Sequence, residues 1–388
     1  MKKIILSVLL ICLLEVSACG TPKNGTSLKP VDQSAIEQQL AGMTLEEKVG
    51  QLFVIRPDAL DLTLTPEQTN NTKQYGVTEL SPAMAETLHK YPVGGVALFK
   101  KNLSTPERLK EFIDALQKES SIPLLVGVDE EGGRVARLAN TDGFSLPKYE
   151  SMEKVGESGD PEDARKVGLT IGSYLKPYGF NVDFAPVADI NTNPENIVIG
   201  DRSFGSDPEL VAKMVTAEIS GLHEAGMLSC IKHFPGHGDT NDDTHNGYVS
   251  VLKTWDELKK CELVPFISAL SDADMIMVAH ITTPNITGNT LPATMSSELL
   301  EGKLRGELGY KGVIITDAMA MGAITKTYTS AESTIEAIQA GVDIVLIPLD
   351  LVDAYEAVCA AVRDGTISEA RLDESVLRIL KLKAAFSK

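Results

Sequence analysis

Three of the six histidines fall in one stretch, Lys232-His233-Phe234-Pro235-Gly236-His237-Gly238-Asp239-Thr240-Asn241-Asp242-Asp243-Thr244-His245. His233 and His237 stand four apart, the spacing of two metal ligands on one helix face. Pro235, Gly236 and Gly238 forbid a regular helix there, so the stretch reads as a loop that shapes a pocket and holds no metal. Within it, Asp243 and His245 are two apart. A carboxylate that meets an imidazole orients the ring and favours its protonated form, giving an acid/base pair that works near neutral pH. The same spacing suits a solvated pair in a turn. Asp317 closes the apolar run that begins at Gly312 and is followed by Ala318-Met319-Ala320-Met321. A carboxylate in so apolar a setting is a nucleophile or the cap of the next helix, and the pattern alone does not separate the two.

These residues share a position. Val128 is followed by Asp129, the run from Val182 reaches Asp189, Ile231 precedes Lys232-His233, Ala279 precedes His280, and Thr316 precedes Asp317. Each is the polar end of an apolar run. Eight such runs occur: Leu52–Ile55, Gly95–Phe99, Leu124–Val128, Val182–Val187, Leu228–Ile231, Met275–Ala279, Val313–Ile315 and Asp343–Ile347. Runs apolar on both faces suit parallel strands covered by helices. Helix starts lie between them: capping boxes at Thr44/Glu47 and Thr254/Glu257, and the pairs Thr105-Pro106 and Asp207-Pro208. Ser368 opens a long helix, read as the last of the barrel. Eight strand-plus-helix units predict a single α/β domain, a (β/α)8 TIM-like barrel, whose strand ends converge on one mouth. A doubly wound sheet is the alternative, but no glycine-rich nucleotide fingerprint follows an early strand. Residues 56–92 read as a polar surface insertion with little helix or strand signal.

Of 388 residues, 43% are hydrophobic and 23% charged, which excludes a disordered chain, a collagen-like fibre and a small disulfide scaffold. Lys and Arg number 36 against 54 Asp and Glu, a net charge of −18 that repels phosphate backbones and argues against a nucleic-acid partner. Lys2 and Lys3, the apolar run from Ile4 to Leu14 and the small residues before Cys19 read as a signal peptide over 1–18, too short to span a bilayer. Residues 19–34 read as a polar tether and 35–388 as the catalytic domain. Without Cys12 and Cys19, three widely spaced cysteines remain, which is no disulfide framework.

The Lys232–His245 stretch and Thr316-Asp317-Ala318-Met319 resemble glycoside hydrolase family 3, more narrowly its bacterial β-N-acetylglucosaminidases. Gly127-Val128-Asp129-Glu130-Glu131-Gly132-Gly133-Arg134-Val135-Ala136-Arg137, Ile199-Gly200-Asp201-Arg202-Ser203-Phe204 and Leu291-Pro292-Ala293-Thr294 extend the resemblance over nearly all of the chain after residue 35. It implies that Asp317 is the nucleophile of a retaining exo-glycosidase, His245 the acid/base and Asp243 its support. It implies that Asp129, Arg137, Arg202, Lys232 and His233 bind a terminal N-acetylglucosamine, and it implies no cofactor. Most glycosidases use a second carboxylate as proton donor, so a histidine departs from the common rule and fits this subgroup. A neutral imidazole also repels anions less than a carboxylate does, which admits phosphate as acceptor in place of water. The N-terminus resembles a bacterial lipoprotein signal, implying lipidation at Cys19 and an extracytoplasmic, membrane-anchored protein meeting wall-derived muropeptides or chitooligosaccharides. The rival readings are a β-glucosidase-type enzyme, a phosphorylase and a non-catalytic sugar-binding lipoprotein.

Overall fold

The computed structural model describes residues 32–73, 76–240 and 249–386. Eight parallel strands form the centre: β1 (Phe53–Ile55), β2 (Gly95–Leu98), β3 (Leu125–Val128), β4 (Val182–Asp183), β5 (Leu228–Phe234), β6 (Met275–Val278), β7 (Val313–Thr316) and β8 (Val345–Leu346). Each strand pairs with its neighbours in chain order, and β1 pairs with β8 through Phe53 opposite Val345 and Val54 opposite Leu346. A bridge from Ile315 to Ile344, with Thr316 N–H donating to the Ile344 carbonyl at 3.0 Å, brings β7 against β8. The result is the (β/α)8 barrel that eight fully buried apolar runs dictate. β4 is shorter than its apolar run because Pro186 has no N–H to give the ladder; Val187 rejoins it by a bridge to Lys232.

Helices cover the outside, and their starts are written locally. Ser81, Thr105, Asp160 and Asp207 each cap a helix whose first residue is proline: α3 (Pro82–Lys90), α4 (Pro106–Glu119), α5 (Pro161–Leu175) and α6 (Pro208–Glu224), after α1 (Gln33–Gly42) and α2 (Leu45–Gln51). The capping boxes at Thr44/Glu47 and Thr254/Glu257 both form. In α4 the buried residues Leu109, Phe112, Ile113 and Leu116 make one stripe facing the strands. Later in the chain follow α7 (Val264–Ala269), a π-helical segment (Glu298–Glu307), α8 (Ser330–Ala340), α9 (Leu351–Arg363) and α10 (Glu369–Phe386).

Two expectations change. Residues 56–92 are not a plain surface excursion. They contain α3, which buries Met84 and Leu88, and they bury Leu60 and Asp58, the latter 3.2 Å from Lys101 Nζ. The last helix is not a flank of the barrel. α9 takes that place, and α10 lies across the N-terminal strand ends, where Arg371 reaches the Val342 carbonyl, Ser375 and Arg378 reach Asp343, and Lys383 reaches Gln51. α10 is a floor, and α1 packs against it.

Candidate active site

The other end of the barrel gathers a second cluster of charged side chains, those of the strand ends. The β5–β6 ladder shifts register between Lys232 and Phe234. Regular alternation would send Lys232 and His233 to opposite faces; the irregularity lets both reach the mouth. Lys232 Nζ lies 2.8 Å from Asp129 Oδ1 and 2.6 Å from Glu131 Oε1. Arg202 grips Glu131 with two parallel bonds, Nε to Oε2 and Nη2 to Oε1, each 2.8 Å. Arg137 Nη2 sits 3.1 Å from Asp129 Oδ2. His233 Nδ1 is 2.6 Å from Asp189 Oδ2, while Asp189 also accepts the backbone N–H of His233 and of His237. Arg202 Nη2 approaches His233 Nε2 at 3.5 Å.

The electrostatics follow from burial working against pairing. Burial alone would raise Asp129, but Lys232 and Arg137 outweigh it and hold this carboxyl far below the usual range. Glu131 is likewise pushed up by burial and pulled down, by Arg202 and Lys232, to about 2. Burial would lower Lys232, yet Asp129 and Glu131 keep it firmly charged. One layer deeper, burial raises Asp183 and Glu218 well above ordinary carboxyl values.

Local structure aims these groups. Arg137 follows the ribbon formed by Glu130–Gly132 and Val135–Ala136. The Glu130 carboxylate folds that loop back by accepting the N–H groups of Leu138 and Ala139, at 2.8 Å each, and the Tyr174 hydroxyl at 2.9 Å. Arg134, its neighbour in the motif, is used elsewhere: it donates to the carbonyls of Ile197, Val198 and Ile199 and pairs with Asp201 at 2.8 Å. Arg202 rides on the turn Gly200–Arg202, and two residues on, Phe204 meets Gly156 so closely that a Cβ at Gly156 would lie 1.7 Å from the Phe204 carbonyl oxygen.

Asp317 follows β7 directly, is partly exposed, and accepts the Ala318 N–H at 2.7 Å. It caps no helix, since the next one starts after Met321 without a side-chain cap. β7 and β3 are four strands apart in a ring of eight, so Asp317 stands across the mouth from Asp129. His280, also a strand-ending residue, is fully buried and pairs with none of these charged groups among the described residues. It is buried between the Thr294 hydroxyl and the Ala318 carbonyl, both at 3.0 Å, and steadies the backbone beside Asp317. The run after β5 is a turn, as Pro235, Gly236 and Gly238 require, with His237 Nδ1 at 2.7 Å from the Thr240 hydroxyl. Asp243, His245 and Cys19 lie outside the described residues.

Sequence reasoning missed Glu131, which shares Lys232 and Arg202, and Arg56, which directly follows β1. Arg56 obeys the rule that found the others, a polar residue ending an apolar run. Asp189 was legible as a strand end, but not as the carboxylate that fixes His233.

The mouth therefore offers fixed donors and acceptors suited to a polyhydroxylated ring, with an open carboxylate facing them. Residues 44–382 match the family described as Glycosyl hydrolase family 3 N terminal domain. The chain belongs to glycosyl hydrolase family 3. It is 36% identical over 333 residues to Beta-hexosaminidase A of Pseudoalteromonas piscicida, covering 79% of this chain and 56% of that protein, so it spans little more than half of that relative. It is 33% identical over 312 residues to a Beta-hexosaminidase of Idiomarina loihiensis, covering 80% of this chain and 92% of that one. Among solved structures, a family 3 beta-N-acetylglucosaminidase from a Paenibacillus species superposes with a TM-score of 0.80 at 38% identity, over 89% of this chain and 63% of that one. A Beta-glucoside phosphorylase superposes with 0.76 at 28% identity, over 92% and 62%.

Proposed function

We propose that the protein is a retaining exo-β-N-acetylglucosaminidase. It hydrolyses terminal non-reducing β-linked N-acetylglucosamine from wall-derived muropeptides or chitooligosaccharides. The observation that carries the reading is the accessible Asp317 carboxylate facing the paired Asp129, Lys232, Glu131, Arg202 and His233. The printed names of the relatives support the choice of sugar. A sugar whose far hydroxyls engage Asp129 and its cations presents its anomeric carbon to Asp317. Asp317 attacks that carbon, the bond to the leaving oxygen breaks, and His245, supported by Asp243, gives that oxygen its proton. His245 then takes a proton from water as the water displaces Asp317 and frees the sugar.

Release of nitrophenol from the β-N-acetylglucosaminide and the β-glucoside tests this. Turnover of the N-acetyl substrate alone, removed by Asp317→Ala and slowed less by His245→Ala on this activated leaving group, is expected. Turnover of the glucoside alone would overturn the sugar assignment, and equal small effects of both variants would overturn the roles. Likeness to a phosphorylase favours one second reading, in which phosphate replaces water. Sugar 1-phosphate formed in phosphate buffer would establish it, and none above background ends it.

We also propose that Cys19 is lipidated and holds the enzyme on a membrane, outside the cytoplasm. Labelled fatty acid should enter the wild type and not Cys19→Ala; equal labelling refutes the anchor.

A further inference from the structure

Arg56 is 7% exposed, and its Nε and Nη1 are buried without a hydrogen-bond partner. It leaves β1 directly, so it stands at the mouth, and its guanidinium lies over the Phe99 ring with Cζ 3.8 Å from the centroid. The Arg137 guanidinium lies over the same ring, at 5.6 Å, and its Nε is also buried and unpartnered. Among the described residues Arg56 is hydrogen-bonded to no carboxylate, and Arg137 has only its share of Asp129. Asp58, on the Arg56 loop, is taken by Lys101 at 3.2 Å, by the Asn102 amide at 2.8 Å and by the Val77 N–H at 3.1 Å. Asp129 is shared between Lys232 and Arg137. Asp129 and Glu131 are thus taken up by Arg137, Arg202 and Lys232, and Arg56 stands beside this cluster on Phe99, in a chain whose net charge is −18.

Burying a charge without a counter-charge is costly, and an anion delivered with the ligand offsets that cost. Burial indeed lowers Arg56 to about 10, although Asp58 and Asp129 work the other way. We propose that Arg56 and Arg137 form, on the face of Phe99, a subsite for an anionic oxygen group, a sulfate or phosphate ester, carried by the terminal sugar at the end away from Asp317. The assignment rests on the mouth being the terminal-sugar site. C6 projects from that end of the ring, and Phe99 gives both guanidinium planes a flat apolar support. Arg137 keeps Asp129 as its counter-charge, whereas Arg56 has no hydrogen-bonded carboxylate among the described residues, and a neutral hydroxyl would bring it none.

The test compares nitrophenyl 6-O-sulfo-, 6-O-phospho- and unsubstituted β-N-acetylglucosaminides with wild type, Arg56→Gln and Arg56→Lys. Wild type should turn over at least one of the two esters. Arg56→Gln should lower kcat/KM for that ester at least tenfold more than for the neutral glycoside, and Arg56→Lys should restore part of the difference. A ratio unchanged by Arg56→Gln overturns the subsite, as does failure of the wild type on both esters while the neutral glycoside is cleaved. Calorimetric binding of N-acetylglucosamine 6-sulfate and of N-acetylglucosamine reads the subsite without turnover. Preference for the sulfated sugar, lost in Arg56→Gln, supports it even where no glycoside is cleaved, an outcome that would count only against the proposed reaction. Sodium sulfate competing as strongly as the sulfated sugar overturns the sugar-borne source.

Discussion

Glu131 illustrates how one side chain can serve two purposes. It pairs with Lys232 and Arg202 at once, and its own carboxyl is held at about 2 although burial pushes it upward. Its folded value lies below its ordinary one of 4.5, so its contribution is complete above about 4.5 and fades as the pH falls towards about 2. Glu131→Gln should therefore flatten the acid limb of stability between those values, as urea unfolding at stepped pH would show. At neutral pH the variant leaves part of a buried pair uncompensated, and a loss of roughly 3–5 kcal/mol is expected. Asp317 was legible from the run before it. Glu131 was not, because its meaning comes from Arg202, 71 residues away, and no local pattern records that pairing.

At the scale of elements, the apolar runs found every barrel strand, since a strand buried on both faces has no polar position to interrupt it. Caps found the helix starts because the first turn's N–H groups need partners from neighbouring side chains. The insertion at 56–92 misled because α3 buries only a narrow stripe, and Arg56 was lost with it. Close approaches of backbone were hidden too. Gly238, in the turn after β5, packs where a Cβ would lie 1.8 Å from the carbonyl oxygen of Ile190, next to Asp189. Gly238→Ala must displace one segment or the other. We expect at least a tenfold fall in kcat/KM on the nitrophenyl N-acetylglucosaminide, together with a lower Tm. Wild-type kinetics in that variant would mean that the Asp189 backbone tolerates the shift.

At the scale of the molecule, the barrel has two unlike ends. The floor is organised on Asp343, which is fully buried and accepts from Arg305 at 2.5 Å, Ser375 at 2.6 Å, Arg378 at 2.9 Å and the Ile314 N–H at 2.9 Å. Asp343→Asn removes the charge that three arginines surround, counting Arg371 at 3.9 Å. A cost of roughly 3–5 kcal/mol is expected, read as a fall in Tm. The kcat measured on the remaining folded protein should stay within twofold, because the Asp343 cluster sits at the opposite ends of the strands from Asp129 and Asp317. A kcat that falls in step with Tm would show that the two ends are coupled. That α10 crosses the floor was not legible, since an amphipathic stripe states that a helix packs and not on what.

The chain also enters at the floor, because α1 rests on α10. With the anchor proposed at Cys19, twelve residues lie between the lipidated residue and Asp32, a span of at most about 45 Å at full stretch. A body moored by its closed pole turns its open pole outward. Were that anchor in place, glycans hanging in the space beyond the bilayer would meet the pocket head-on. Saccharides still seated on lipid carriers in the same leaflet are reached only if the whole barrel tips over within that radius. The mooring would thus sort substrates by height above the membrane before any side chain inspects them.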